Sequence, residues 1–232
     1  MKTRFAFPFR PAVMIIALAM SIALPGCSKD EPAPSADPST SPVKEATLNG
    51  TDLGGPVACP DSLPLGDLSE AEISALMHMR SEELVARDVY LAFSALYPNP
   101  VFRNITKSES AHAEAIARLL TRYNLPDPEA GHVAGTFSDP QFQDLYNTLT
   151  AAGAQSVLSA MVVGATIEDL DIFDLQNELL VVDNTDIRFV FNNLLRGSKN
   201  HMRAFYANIV ALGGTYTPQY ITPAEFEAII HP

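Results

Sequence analysis

The sequence predicts an all-α protein: a four-helix bundle with one long crossover between its second and third main helices, and a short helix at the C-terminal end. Three observations carry this. From Ser69 onward, apolar residues recur at three- and four-residue spacing, the period of a helix with one buried face. Prolines, glycines and capping residues cut that pattern into four long stretches and two short ones. No stretch alternates apolar and polar residues for long enough to argue for a strand.

The first long helix opens at Ser69-Glu70-Ala71-Glu72, which has the form of a capping box, with Ser at the cap and Glu three residues later. Its apolar face runs through Ile73, Leu76, Met77, Leu84, Tyr90 and Leu91. It closes at Tyr97-Pro98-Asn99-Pro100, because proline removes a donor and restricts the residue before it. Asn99 and Pro100 then serve as cap and first position of the second helix, whose face is Ile105, Ile116, Leu119 and Leu120 and which Pro126 and Pro128 end. Residues 125–155 form a long connection holding a short helix from about Pro140 to Ala152. The third main helix spans roughly Ser156 to Val182. The fourth begins after Asp183-Asn184 and stops at Gly213-Gly214. Thr222-Pro223-Ala224-Glu225 caps a last short helix ending at Ile230. Short links inside each helix pair and one long link between the pairs make the ferritin-like connectivity.

The segment before this domain reads as an address. Lys2, Arg4 and Arg10 precede an apolar run from Ala12 to Leu24, shorter than the roughly 20 residues that a membrane-spanning helix needs. The run ends Leu24-Pro25-Gly26-Cys27, which resembles the bacterial lipobox, Pro25 standing where a small residue is usual. Residues 1–26 are therefore expected to be a lipoprotein signal peptide and Cys27 the lipidated residue, with a cleaved signal and a free periplasmic protein as the alternative. By resemblance to known sorting signals, Ser28 in place of Asp points to the outer membrane over the inner one. Residues 27–66 are rich in Pro, Ser, Asp, Thr and Gly and read as a disordered tether. The bundle domain is expected over 67–232. With the three signal-peptide bases removed, 12 basic residues face 27 acidic ones, a net charge of −15, which excludes a nucleic-acid partner and suits one that attracts cations. Cys27 and Cys59 form no zinc-ligand spacing.

The informative residues interrupt the apolar faces. Glu83 lies midway between Leu76 and Tyr90 on one stripe; Glu109 and His112 fall between Ile105 and Ile116. Glu168 and Asp171 fall between Ala165 and Leu175, and Ser198 and His201 between Leu194 and Phe205. Residues three apart on a helix are about 4.5 Å apart along its axis and share a side, so Glu109 and His112 can aim at one point. Carboxylate oxygen and imidazole nitrogen together suit iron or manganese. Each residue also has a plain structural reading. Glu82 and Glu83 can pair with Arg80, Arg87 or Arg103, and His112 and His201 can be hydrogen-bonded core histidines. Met77, Met79 and Met161 read as core filler. The convergence of Glu83, Glu109, His112, Glu168, Asp171 and His201 on four inward faces favours a metal site, since clustered buried carboxylates require a cation.

Glu83-Leu-Val-Ala-Arg87-Asp-Val-Tyr90 and Glu109-Ser-Ala-His112 resemble rubrerythrin-type ferritin-like proteins. A closer resemblance is to the ferritin-like family of domain of unknown function 2202. It rests on Arg80-Ser-Glu-Glu83 leading into Ala86-Arg87-Asp88-Val89-Tyr90, on Asn184-Thr-Asp186-Ile187-Arg188, and on Gly197-Ser198-Lys199-Asn200-His201. The resemblance covers about Leu68 to Ile230. It implies a di-metal site with the six residues above as ligands, about two iron ions (or manganese) per chain, and Arg87 and Asn200 orienting the ligands. A rubrerythrin-type fourth helix supplies Glu-x-x-His; here Ser198 holds the glutamate position, while Asp171 keeps the count at four carboxylates and two histidines. The function expected is an envelope-anchored di-iron or mixed Fe/Mn protein with oxidase- or peroxidase-type chemistry on O₂ or peroxide. The alternatives are a non-enzymatic metal-binding module and a structural bundle that binds a partner at the envelope. Partners expected are metal ions and the membrane through the lipid anchor, with a homodimer left open.

Overall fold

The computed structural model describes residues 63–232. The signal peptide expected over 1–26, the lipidated Cys27 and the tether up to residue 62 lie outside the described residues. Within them the chain is all helical: α1 (Glu70–Leu96), α2 (Pro100–Arg122), α3 (Pro140–Gly153), α4 (Val157–Val181), α5 (Thr185–Ala211) and α6 (Pro223–Ile230).

Local chemistry accounts for the helix ends. Ser69 and Glu72 form the reciprocal capping box at α1. Asn99 and Asp139 cap α2 and α3 through their side chains, each followed by a proline at the first helical position. Ser156 caps α4, and Thr222 with Glu225 makes a second capping box at α6. The α2 helix ends at Arg122, four residues before Pro126, and Asn124 between them turns left-handed at φ 54°.

Side-chain contacts set the direction of each helix. Tyr90 on α1 reaches Gly164 and Glu168 on α4, while Glu72 reaches the turn after α4, so these helices run antiparallel. Asn99 meets Asn208 and Tyr123 meets Asp186, so α2 and α5 are antiparallel as well. The four long helices close a ring in the order α1, α2, α5, α4. The connection between α2 and α4 must therefore travel the length of the bundle. It does so along α1, pinned by Arg80 to Asp127 (3.0 Å), Ser81 to Glu129 (3.2 Å) and Asp88 to His132 (2.7 Å). Its helix α3 lies on α1 and α4. At its far end Gly153 is required, since a Cβ there would stand 2.0 Å from the Phe93 ring. Because α4 is packed by α1, α3 and α5, its stretch from Ser159 to Ile172 is buried nearly all round.

The interior has three layers. One end is largely aliphatic, with Leu76, Met79, Ile116, Leu119, Leu175, Ile187 and Leu194 packed together. The other end holds Tyr90, Phe93, Phe102 and Phe205 with ring centroids 5.1–6.0 Å apart. Burying one such side chain contributes roughly 1.5–3 kcal/mol. Between the two ends lies a layer of carboxylates and imidazoles.

Candidate metal centre

The six residues singled out in the sequence all reach that middle layer. Glu83 comes from α1, Glu109 and His112 from α2, Glu168 and Asp171 from α4, and His201 from α5; none is more than 1% exposed. Glu109 lies at the centre. Its Oε2 is 2.8 Å from His112 Nδ1, which is also 3.2 Å from Glu83 Oε2. Its Oε1 is 2.7 Å from His201 Nδ1, which is 3.4 Å from Glu168 Oε2. Two groups able to hold a metal ion result, Glu83/Glu109/His112 and Glu109/Glu168/His201, each with ligand atoms within 4.8 Å of one another. The two imidazoles stack with centroids 5.6 Å apart. Gly197 lets the His112 ring lie against α5, because a Cβ there would be 2.6 Å from the ring.

The layer is rich in acceptors and poor in donors. Glu83 Oε1, Glu168 Oε2, both oxygens of Asp171 and His112 Nε2 are buried without a hydrogen-bond partner, while Glu109 Oε1 and His201 Nδ1 face each other as an ion pair at 2.7 Å. Such orphaned groups are costly unless something neutralises them. Asp171 is outside both ligand groups but feels the same field: burial, then the charges of Glu82, Glu168, Glu83 and Glu109, push its carboxyl well up. Burial and the neighbouring Glu109 push Glu83 up to about 8 against the opposing pull of His112. Glu168 is raised too, by burial and by Glu109, despite His201. For Glu109 burial acts upward but His201 and His112 outweigh it, so its carboxyl is held low. Burial opposes charge on the imidazoles, yet Glu83 and Glu109 raise His112, and Glu109 and Glu168 push His201 up to about 9. Without a cation, protons hold this cluster together.

Two residues outside the expected set support it. Ser108 Oγ lies 2.9 Å from His201 Nε2; with that nitrogen donating, Nδ1 is the nitrogen turned to Glu109 and Glu168, protonated between them or, once the ring is neutral, able to ligate a cation there. Tyr90, read from sequence as part of the apolar face of the first helix, donates its hydroxyl to Glu168 Oε1 at 2.6 Å. The sequence signal for Ser108 was its place next to Glu109 on an inward face. Glu82 was a third omission: 4% exposed, it faces His78 and Asp174.

Arg87, expected to orient the ligands, donates to its neighbour Asp88 at 2.7–2.8 Å, and Asp88 in turn anchors His132 and the Gly135 amide of the crossover. Asn200 accepts from Arg203 on its own helix. Arg80, one possible partner for Glu82 or Glu83, is taken by Asp127 and the Ala113 carbonyl. Ser198 donates to the Leu194 carbonyl within α5, so the glutamate position of the fourth long helix supplies no carboxylate here.

Fold and site together define an all-α bundle whose core carries carboxylate–histidine groups suited to metal ions. The chain belongs to the family described as "Uncharacterized protein domain (DUF2202)", which matches residues 72–232. It is 48% identical over 169 residues to "Uncharacterized protein MJ0754" of Methanocaldococcus jannaschii, covering 73% of this chain and 91% of that one. The crystal structure of hypothetical protein MJ0754 is similar to it with a TM-score of 0.72 at 47% identity, over 73% of this chain and 97% of that chain.

Proposed function

We propose that the middle layer is a ferritin-like di-metal centre holding about two divalent iron or manganese ions per chain. The observation that supports this most is Glu109, whose two oxygens face two different histidine–carboxylate groups in a layer of partnerless acceptors. Glu83 and His112 would hold one ion, Glu168 and His201 the other, with Glu109 between them. Asp171 supplies the fourth carboxylate, so four negative charges and two neutral imidazoles balance two divalent ions. Such a pair, when bound, offers redox chemistry with O₂ or peroxide. The protein's own part is to keep the pair dry between two apolar layers, to orient His201 through Ser108, and to place the Tyr90 hydroxyl on Glu168.

Metal analysis after anaerobic loading with Fe(II) tests this, with about two ions expected in the core of each chain and both of these lost in Glu109→Gln. A metal-free sample whose melt ignores Fe(II) and Mn(II) sinks it. Ser198 favours a second reading, a metal-binding module without turnover, since the fourth long helix brings one ligand fewer than the rubrerythrin pattern. Consumption of Fe(II) by O₂ or peroxide separates the two.

On the sequence pattern alone, the proposal extends to the site of action: the bacterial envelope, held on the periplasmic side by lipidated Cys27. Cys27→Ala should move the protein from the membrane fraction to the soluble periplasm. Wild type already soluble without detergent refutes the anchor.

A further inference from the structure

A third cluster lies one helical turn from the di-metal layer, on the α1–α4 side of the bundle. His78 and Glu82 are four apart on α1; Asp174 is on α4, three residues after Asp171. The three present ligand atoms within 4.8 Å of one another. His78 Nε2 is 3.6 Å from Glu82 Oε2 and 3.8 Å from Asp174 Oδ2. Charged hydrogen bonds close to about 2.7–2.9 Å. Two metal–ligand bonds of about 2.1 Å at a tetrahedral angle hold their ligand atoms about 3.4 Å apart, so the observed spacing is nearer to that of ligands around an ion.

A second observation points the same way. Glu82 is 4% exposed, its Oε2 has no hydrogen-bond partner, and that is the oxygen turned toward His78. A carboxylate oxygen sealed from water in this way calls for positive charge beside it, from a protonated His78 or from a metal ion that takes the proton's place. The cluster also differs from the core in access: the side chains of His78 and Asp174 are 29% and 19% exposed, whereas the di-metal ligands are sealed. Phe142 of α3 covers one side, its ring 5.6 Å from that of His78. Inward of the cluster, acceptors continue without a break in type. Glu82 is next to Glu83, and both oxygens of Asp171 are buried and partnerless between Glu82 and the core carboxylates.

We propose that His78, Glu82 and Asp174 form a third divalent transition-metal site, through which ions pass by way of Asp171 to the core pair. The mixed imidazole–carboxylate donor set suits Fe(II), Mn(II), Co(II) or Zn(II) over Ca(II) or Mg(II). The site stands on its own geometry; its role as a route inward rests on the di-metal reading.

Co(II) is the probe, because its visible absorption reports histidine–carboxylate coordination. Equilibrium titration of the wild type should reach about three ions per chain, against about two in His78→Ala and in Asp174→Asn and about one in Glu109→Gln. Stopped-flow loading of the core should slow by about tenfold in His78→Ala and Asp174→Asn, the loss expected when a charged funnel is removed. Circular dichroism of each variant checks that the bundle is intact, and the two variants, one on each helix, serve as mutual controls. Wild-type stoichiometry and loading rate in both variants overturn the proposal while leaving the core pair standing. A single ion in the wild type, abolished by His78→Ala, keeps the third site and removes the di-metal reading and the route with it.

Discussion

Glu168 and Asp169 are consecutive on α4 and equally sealed from solvent, yet they meet opposite surroundings. Asp169 points away from the bundle axis into the C-terminal tail. There its carboxylate accepts from the Tyr216 hydroxyl (2.8 Å), the amides of Gln219 and Tyr220, and the Ile221 amide (2.9 Å). Glu168 points into the bundle, where Tyr90 is its one hydrogen-bond donor and the rest of its neighbours are carboxylates and an imidazole. Glu72 follows the first pattern. Its oxygens take the Ser69 amide and hydroxyl, the Asp183 and Asn184 amides and the Asn184 side chain, and although burial acts upward these bonds hold its carboxyl at about 2. A buried acid surrounded by N–H groups is a structural tie. One denied them is left with acceptors that a cation would satisfy.

Removing a tie should cost most. Asp169→Ala strands three backbone amides and a tyrosine hydroxyl, and we expect a loss of about 3–5 kcal/mol in urea unfolding, with proteolysis appearing between residues 215 and 222. A loss below about 1 kcal/mol would show that the tail is held by Tyr216 and Phe226 packing instead.

The metal should come next. An ion that binds only the folded state stabilises it by about 2.7 kcal/mol at a hundred times its Kd. The sign with pH differs between the two forms. Glu83, raised to about 8 from the usual 4.5, and His201, raised to about 9 from 6.5, both bind protons in the folded state that the unfolded chain has released. The metal-free protein should thus lose stability as pH climbs from about 4.5 through 9. Ligation displaces those protons, so the rise in melting temperature on adding Mn(II) should be larger near pH 8 than near pH 6. An equal rise at both would mean that the ion binds elsewhere.

Ligand support should show smaller effects. Ser108→Ala leaves His201 without its orienting partner and should weaken binding at the Glu109/Glu168/His201 position by about tenfold in a calorimetric titration. Asp171→Asn keeps the shape but removes a charge, lowering occupancy toward about one ion, and Ser198→Glu in that background should restore the second. Two ions in Asp171→Asn alone would assign Asp171 to the outer path only.

The smallest change should come from the other half of the opening pair. In metal-free protein Glu168→Gln removes a repelling charge while keeping an acceptor for Tyr90, so stability should stay within about 1 kcal/mol of wild type or rise. A loss as large as that of Asp169→Ala would erase the distinction between the two carboxylates.

The sequence by itself determined the helices, their caps and their inward stripes, because these depend on groups within four residues of one another. The Ser69–Glu72 box, the Asn99-Pro100 opening and the i, i+3 pair of Glu109 and His112 are local facts, and a connection of some thirty residues between two tight pairs leaves few arrangements for four amphipathic helices. The six ligand candidates were legible for the same reason: a charge on an apolar stripe is visible in one dimension. Only the tertiary structure decided which buried acid keeps its charge by hydrogen bonding and which does not. The donors to Asp169 come from about fifty residues downstream, and those to Glu72 Oε1 from more than a hundred. It also brought His132 to Asp88, made Ser108 the partner of His201, and enclosed Glu82 with His78 and Asp174. Hydrogen bonds and ion pairs act over about 3 Å between groups that folding alone brings together, so their partners are set by packing and not by spacing along the chain.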